Sequence, residues 1–301
     1  MYRKIIVGHD LHEGGDDALA LGRLIAGATG AQLIVAGVFP VGVLPHGFEA
    51  QWREQEAEIA SKIQSVADAA GAPAEAVPSS SPARGLHDLA EEIAADLVIV
   101  GSSRHSKVGQ IMAGNVGLGL LHGSPCAVAI APRDYRESGN ELTAITLGFD
   151  GSSESGVALL DAVELAKASG ARLRLVAVAE PPPIVYGKGG GSGQGYQELK
   201  EAIEEQLREQ LDEALDSIPD HVSAEATLVS GDPAEQLADA ARTDGALLVL
   251  GSRAYGPLRR VLLGSVSTAL MRSAPCPVLV HPRPTKVELA TAHSVGVGSA
   301  R

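Results

Sequence analysis

Short apolar runs alternate with amphipathic stretches along the chain. Ile5–Val7 and Leu33–Val38 are apolar runs of strand length, and the helical pattern between them stops at Gly30, a residue type that commonly ends helices. Such alternation of strand and helix predicts βαβ units around a parallel sheet. Because the strand-length runs are apolar throughout, we expect helices to cover the sheet on both faces.

One later stretch shows a regular helical stripe. Its apolar residues recur every four positions, with Glu and Arg on the other face, until Pro219 ends the pattern. The stripe is predicted to be buried against the sheet, with a leucine zipper as the alternative interpretation. Its members are Leu199, Ile203, Leu207, Leu211 and Leu215.

The sequence contains an internal repeat. The segment ending at Asp10 matches the segment ending at Asp150, 140 residues later, whereas the segments around Cys126 and Cys276 match at an offset of 150. The added residues fall where the second copy carries GKGGGSGQG (187–195). This stretch is interpreted as a surface loop, and it lacks the Gly-Lys-Ser/Thr ending of a P-loop.

The repeat predicts two tandem domains of one fold. Residues 1–135 and 141–283 form the two copies, 136–140 link them, and 284–301 form a polar tail. Each copy shows a pattern of five strands and four helices. The predicted fold class is α/β, with two tandem Rossmann-like domains, each a doubly wound, five-stranded parallel sheet. Ligands of such sheets bind outside the carboxyl ends of the strands, where the strand order reverses.

Composition and charge narrow the classes of partner. A formal charge of −13 and an aromatic content of 3% disfavour nucleic-acid binding. No apolar stretch has the length of a membrane span and no signal-peptide pattern is present, so we expect a cytoplasmic protein without membrane contact. Cys126 and Cys276 are interpreted as buried, inert thiols, and the histidines lack metal-ligand spacing, so no metal site is expected.

Polar and glycine residues are expected to converge at the strand ends of each copy. An aspartate follows the first strand, a valine ends the second, and a glycine ends the fourth, from which a loop leads to a further glycine at a helix start. These residues are Asp10, Val38, Gly101 and Gly114 in the first copy and Asp150, Val178, Gly251 and Gly264 in the second.

This arrangement suits a phosphorylated ligand. A glycine at a strand end lets the backbone approach a ligand or adopt φ > 0, and a helix N-terminus offers N–H groups to an anion. The aspartate suits hydrogen bonds to a ribose or a base, although a turn or helix cap is the simpler interpretation. His9 adjoins the site and is interpreted as a polar loop residue, with a contact to the base as the alternative.

With these motifs the chain resembles a tandem universal stress protein over nearly its whole length. The nucleotide signature of that family is Gly, two residues, Gly, nine residues, and Gly followed by Ser or Thr. The second copy departs from it at Ala254, and the first at Arg104 and Asn115. A β-carbon at the second signature position costs roughly 1 kcal/mol or more if φ > 0 is needed there. The Arg104 guanidinium offers a contact to phosphate instead.

The resemblance implies an ATP-binding regulatory protein of the stress response, and the sequence leaves open whether Mg²⁺ accompanies the nucleotide. It also implies that the final strands pair, within the chain as a pseudo-dimer or between chains as a homodimer. The alternatives are a scaffold of the same fold that holds no nucleotide, and a slow ATPase. Since no nucleophile elbow or catalytic triad is evident, nothing in the sequence requires an enzyme.

The ligand contacts implied by the resemblance lie in both copies. The phosphates are expected at the loop and helix start in the second copy, and the adenosine at its aspartate and valine. The expected contacts are Asp150, Val178, Gly251, Arg253, Ala254, Gly264, Ser265, Val266 and Ser267 in the second copy, and Asp10, Val38, Gly101, Arg104, Gly114 and Asn115 in the first.

Overall fold

Strands and helices alternate through the chain. The structure, a computed structural model, describes residues 2–40, 49–103, 105–138, 141–181, 193–243, 245–252 and 264–282. The first half contains β1 (Lys4–Gly8), α1 (Glu13–Thr29), β2 (Gln32–Pro40), α2 (Glu49–Ala70), β3 (Ala74–Ser79), α3 (Pro82–Glu92), β4 (Leu97–Gly101), α4 (Asn115–Leu121) and β5 (Ala127–Ala131). After the short helix α5 (Tyr135–Ser138), the second half contains β6 (Ala144–Gly148), α6 (Ser153–Ser169), β7 (Arg172–Ala179), α7 (Gly193–Asp216), β8 (Ala224–Ser230), α8 (Pro233–Ala240), β9 (Ala246–Leu250), α9 (Ser265–Leu270) and β10 (Val278–Val280).

These strands all belong to one sheet, in the order β3-β2-β1-β4-β5-β10-β9-β6-β7-β8. The predicted five-stranded parallel sheets form its two halves. They join edge to edge, because β5 and β10 pair antiparallel with Leu279 opposite Ala129. The final strands therefore pair within the chain. As a consequence, the carboxyl ends of the strands point in opposite directions in the two halves.

Helices cover both faces of the sheet, as predicted. Helices α1, α2, α6 and α7 pack over one core and α3, α4, α8 and α9 over the other, and each core continues across both halves. The central strands are apolar throughout because both of their faces are covered. The outermost strands, β3 and β8, are only partly buried.

Local sequence signals set the helix ends. Gly30 and Gly170 adopt the left-handed conformation, with φ 71° and 74°, at the C-caps of α1 and α6. Helices α3 and α8 each begin with a proline after a capping residue. Ser81 Oγ accepts the Arg84 N–H at 3.3 Å, and Asp232 Oδ1 accepts the Glu235 N–H at 3.0 Å.

Helix α7 differs from its prediction at its N-terminal end. Leu211 is buried, but Leu199 is 52% exposed, so only the later part of the leucine stripe packs on the sheet. The reason is length: a 24-residue helix spans about 36 Å, more than the roughly 26 Å of the eight-residue strand β7. Residues 193–195, predicted as loop, belong to this helix, and 187–192 lie outside the described residues.

Asp17 anchors the connection between the halves to α1. Its buried carboxylate accepts the backbone N–H of Asp134 at 2.9 Å and that of Arg136 at 3.0 Å. The Arg136 guanidinium donates to the same carboxylate at 3.2 Å. Burial raises the pKa of Asp17, against the opposite pull of these donors. Helix α5 thus occupies the start of the predicted linker in a fixed position, and 139–140 lie outside the described residues.

We expect Asp17→Ala to lower the free energy of unfolding by about 3 kcal/mol, because it strands buried N–H donors and the guanidinium. Urea denaturation of the full chain measures this effect. Glu13→Ala is the matched control: Glu13 faces the same Arg136 at 3.7 Å but is 70% exposed, so its loss should stay within about 0.5 kcal/mol. Equal losses for both variants would contradict the anchoring role.

Candidate functional site

A cavity opens at the carboxyl ends of the strands in each half. The first has a volume of about 520 Å³ and lies where strand order reverses between β1 and β4. The second, of about 310 Å³, lies between β6 and β9. Both volumes are within the range of small-molecule pockets, and both positions are the ligand-binding positions of doubly wound sheets.

The predicted site residues that the structure describes all line these cavities. Their role as ligand contacts remains a prediction, and Arg104, Arg253 and Ala254 lie outside the described residues. The first cavity is lined by Asp10, Val38, Gly101, Gly114 and Asn115, and the second by Asp150, Val178, Gly251, Gly264, Ser265, Val266 and Ser267.

The two aspartates hold the turns that lead into α1 and α6. Asp10 Oδ1 accepts the N–H of His12 at 3.0 Å and that of Gly15 at 3.2 Å. Asp150 Oδ1 accepts the Ser152 N–H at 3.0 Å. The turn interpretation is therefore present in the structure, whereas the N-caps of the two helices are His12 and Ser152. These turns fix each aspartate carboxylate at the cavity wall, where it is exposed, so the turn and a ligand contact are compatible.

Gly101 and Gly251 are required by packing against a helix. Neither adopts a positive φ. A β-carbon on Gly101 would overlap the carbonyl oxygen of Gly14 in the first turn of α1. On Gly251 it would lie 2.9 Å from the carbonyl group of Glu154 in α6. The strand end thus touches the backbone of the helix that follows the neighbouring strand, β1 or β6. This is a different reason for glycine than the one predicted from sequence.

Gly114 and Gly264 have open space where a side chain would lie. Both are N-caps with extended backbone, at φ −74° and −84°. Among the described residues, none places an atom within 4 Å of a β-carbon on Gly264, and a β-carbon on Gly114 would meet Ser103 at 3.7 Å. The cavity fills this space, so these glycines leave room at the helix start.

The loop after β4 is fastened to the other half of the chain. The Ile111 N–H donates to the Ala274 carbonyl at 2.9 Å, and the Ala113 N–H to the Met271 carbonyl at 2.8 Å. Both acceptors follow α9, whose N-terminus lines the second cavity. The wall of the first cavity is therefore positioned in part by the second half.

Sequence reasoning missed the wall contributed by the third helix of each half. Pro82 and Leu86 of α3 line the first cavity, and Pro233 and Leu237 of α8 line the second. The Ser-Pro and Asp-Pro pairs that begin these helices were a usable signal, since each follows a strand that ends at the same edge. Glu180, Ser152 and Ser155 also line the second cavity.

His9 lies in the loop after β1, as interpreted, but its side chain is buried. Only 5% of His9 is exposed. Its Nδ1 accepts the Leu11 N–H at 3.0 Å, and its Nε2 lies 3.2 Å from Asp16 Oδ1. The ring lines the first cavity. The repeat places Phe149 at this position in the second half, so the two sites differ chemically beside their aspartates.

The comparison with protein families supports the resemblance found in the sequence. The model of the universal stress protein family matches residues 1–132 and 142–282. The chain belongs to the universal stress protein family. It carries two copies of that domain in tandem.

Relatives of this universal stress protein include proteins of similar length and proteins about half as long. A universal stress protein of Mycobacterium tuberculosis is 31% identical over 205 residues, which cover 67% of this chain and 69% of that protein. One from Thermus aquaticus is 35% identical over 137 residues, which cover 45% of this chain and 96% of that protein. The latter relative corresponds in length to one half.

Solved structures of universal stress proteins share the fold. One from Archaeoglobus fulgidus is 23% identical with a TM-score of 0.63, covering 93% of this chain and 98% of that one. One from Pseudomonas aeruginosa is 16% identical with a TM-score of 0.63, covering 98% of each chain. At these identities the likeness concerns the fold alone. Among the residues described for this universal stress protein, no helix is both long and apolar enough to span a bilayer.

Both cysteines of this universal stress protein are buried and free. Burial raises the pKa of the Cys126 thiol to about 12, and that of Cys276 to about 12 as well. Because the thiolate is the reactive form, neither side chain is poised for nucleophilic or redox chemistry.

Iodoacetamide at about pH 8 is therefore expected to label native protein at least about a hundredfold more slowly than protein unfolded in guanidinium, where both thiols regain an ordinary pKa. Intact-mass spectrometry counts the adducts, and two are expected only after unfolding. Rapid labelling of either cysteine in the native chain would show that its burial is wrong.

Proposed function

We propose that the chain is an ATP-binding regulator of the stress response, with one nucleotide site at the strand ends of each half. The observation that carries the proposal is the open cavity in each half. Its wall includes an aspartate whose carboxylate is held by its own turn, and a helix N-terminus at which a glycine leaves space for a ligand. Family membership supports the ligand class, since the chain retains most of the signature of the ATP-binding members.

In the second half, the ATP phosphates would lie against the N-terminus of α9. Gly264, Ser265 and Ser267 line the second cavity at this helix start, and the unpaired N–H groups of a helix's first turn attract anions. The adenosine would lie toward Asp150 and Val178, with the carboxylate accepting hydrogen bonds from ribose hydroxyls. The proposal includes the signature residues Arg253 and Ala254.

In the first half, the corresponding site would use Asp10, Val38, Gly101 and Gly114. Asn115 replaces the hydroxyl residue at the helix start, and its amide offers a donor to a phosphate oxygen. Arg104 belongs to this proposed site and would add a positive charge beside the phosphates, since the described residues that line the first cavity include no Lys or Arg.

Any magnesium would be carried by the nucleotide in this proposal. The described residues contain no group of three or more His, Cys, Asp or Glu side chains placed to hold a metal ion. The phosphate oxygens would therefore supply most of the ligands of Mg²⁺.

The antiparallel pairing of β5 with β10 supports a pseudo-dimer formed within one chain. This pairing covers the sheet edge that each half would otherwise expose. A second chain is therefore not needed to cover these edges. We place this regulator in the cytoplasm, without nucleic-acid or membrane partners.

Mass analysis of small molecules released from freshly purified, heat-denatured protein tests the ligand directly. ATP or ADP in near-stoichiometric amount is expected. Protein that releases no nucleotide, and that binds none at millimolar ATP, would favour a scaffold acting through protein partners. Phosphate release that persists through further purification and disappears in Gly264→Trp would instead indicate a slow ATPase.

A further inference from the structure

The turn between β1 and α1 holds a leucine in the left-handed region. Leu11 has φ 62°, and the equivalent residue of the second half is Gly151, with φ 72°. Glycine adopts this conformation freely, whereas a bulky side chain is strained in it and persists only where its surroundings hold it. The first half therefore requires a support that the second half does not need.

His9 provides that support. Its Nδ1 accepts the Leu11 N–H at 3.0 Å. Because a backbone N–H can only donate, Nδ1 carries no proton in this arrangement, and Nε2–H donates to Asp16 Oδ1 at 3.2 Å. The second half has Phe149 at this position, a side chain that cannot accept such a bond.

The imidazole, the strained turn and the aspartate form one unit. The His9 ring lies against the first turn of α1, where a β-carbon on Gly15 would come within 2.7 Å of Nδ1. The Gly15 N–H in turn donates to Asp10 Oδ1. A movement of the ring or of Leu11 would therefore displace the Asp10 carboxylate at the wall of the first cavity.

We propose that His9 is a positioning residue of the first nucleotide site: it holds the Leu11 turn, and through it Asp10, and so makes this site pH-sensitive while the second site is not. The inference rests on the proposed function for its ligand. The position of His9 in the fold and its hydrogen bond to Leu11 do not depend on that function.

Protonation of His9 at Nδ1 would disrupt the Leu11 turn. A proton on Nδ1 would face the Leu11 N–H, and two donors cannot bond, so the ring or the turn must move. Among the described residues, the other titratable groups around this turn are Asp10 and His12 in the turn, Glu13 and Asp16 on α1, and His105, which lines the same cavity. Asp16 bonds Nε2 and leaves the conflict at Nδ1 in place.

The test compares the two sites within the full chain. Gly264→Trp leaves only the first site open, and Gly114→Trp leaves only the second. The ATP affinity of each variant is measured at about pH 8 and at about pH 5.5, two values on either side of the ordinary pKa of histidine. Protonation of ATP itself affects both sites. The ratio of the two affinities cancels effects common to both sites and leaves those of His9 and His105, which the His9 variants separate. The first site is expected to weaken by about tenfold relative to the second.

Three variants in the Gly264→Trp background distinguish the role of the hydrogen bond between Leu11 and His9 from the role of His9 protonation. His9→Phe should weaken binding by about tenfold at pH 8, because the Leu11 N–H loses its acceptor. His9→Asn should retain binding and lose the pH dependence, since its amide oxygen accepts but does not titrate. His9→Phe combined with Leu11→Gly reproduces the second half and should restore binding. An unchanged affinity ratio across pH, or full binding by His9→Phe alone, would overturn the proposal.

Hydrogen exchange of the ligand-free chain gives a second readout that needs no nucleotide. Relative to intrinsic rates, residues 9–15 should lose protection at the lower pH while residues 149–155 keep theirs, and His9→Asn should abolish the difference. If ATP binds nowhere but this difference appears, the proposed function fails and the role of His9 stands. If ATP binds but both segments behave alike, the role of His9 fails and the proposed function stands.

Discussion

Gly101→Ala is expected to lower the free energy of unfolding by about 3 kcal/mol or more. The new methyl group would overlap the Gly14 carbonyl oxygen, and backbone on both sides of the contact leaves no flexible side chain to move away. Either β4 or the first turn of α1 must shift, and residues of both line the first cavity. Thermal and urea denaturation of the purified full chain measure the loss.

Two related variants make this prediction specific. Gly251→Ala should cost less, because its β-carbon would lie 2.9 Å from Glu154 without full overlap. Gly114→Ala should cost less than about 1 kcal/mol, since it replaces an N-cap glycine in open space. A Gly101→Ala protein as stable as Gly114→Ala would show that the strand end does not touch α1 as described.

Gly264→Trp is expected to reduce ATP binding at the second site by at least about a hundredfold, because the indole would fill the helix start where the phosphates are proposed to bind. The fold should tolerate the change, since no atom of the other described residues lies within 4 Å of the new β-carbon and φ is −84°. Isothermal titration calorimetry should report one site per chain in place of two.

Gly195→Trp is the matched control for this substitution. In the part of the chain that the structure describes, a β-carbon on Gly195 would likewise meet no atom within 4 Å, and this residue lies on α7 and lines neither cavity. The substitution should leave both sites intact. If Gly264→Trp binds two equivalents of ATP as tightly as Gly195→Trp does, the helix start is not the phosphate site.

The fold was predictable from sequence because its determinants are local and repeated. Buried runs such as Ile5–Val7 and helix ends such as Gly30 are short-range signals, and the repeat supplied each of them twice. The proximity of Asp150 to Gly264 was also predictable from the sequence, because parallel strands in a doubly wound sheet have their carboxyl ends at one edge.

What the sequence did not predict depends on contacts between distant residues. The reason for Gly101 is the approach of Gly14, which no local pattern encodes. Likewise, the burial of His9 follows from the way α1 covers it, and the exposure of Leu199 from the length of α7 relative to the strands beneath it.

Equilibrium dialysis of the intact chain against labelled ATP, near neutral pH and at saturating concentration, tests the central claim most directly. Two bound nucleotides per chain are predicted, falling to one in either tryptophan variant, Gly114→Trp or Gly264→Trp, and to none when both are combined. Binding that is absent from the unmodified chain, or that survives in the doubly blocked chain, would contradict the assignment of both cavities as nucleotide sites.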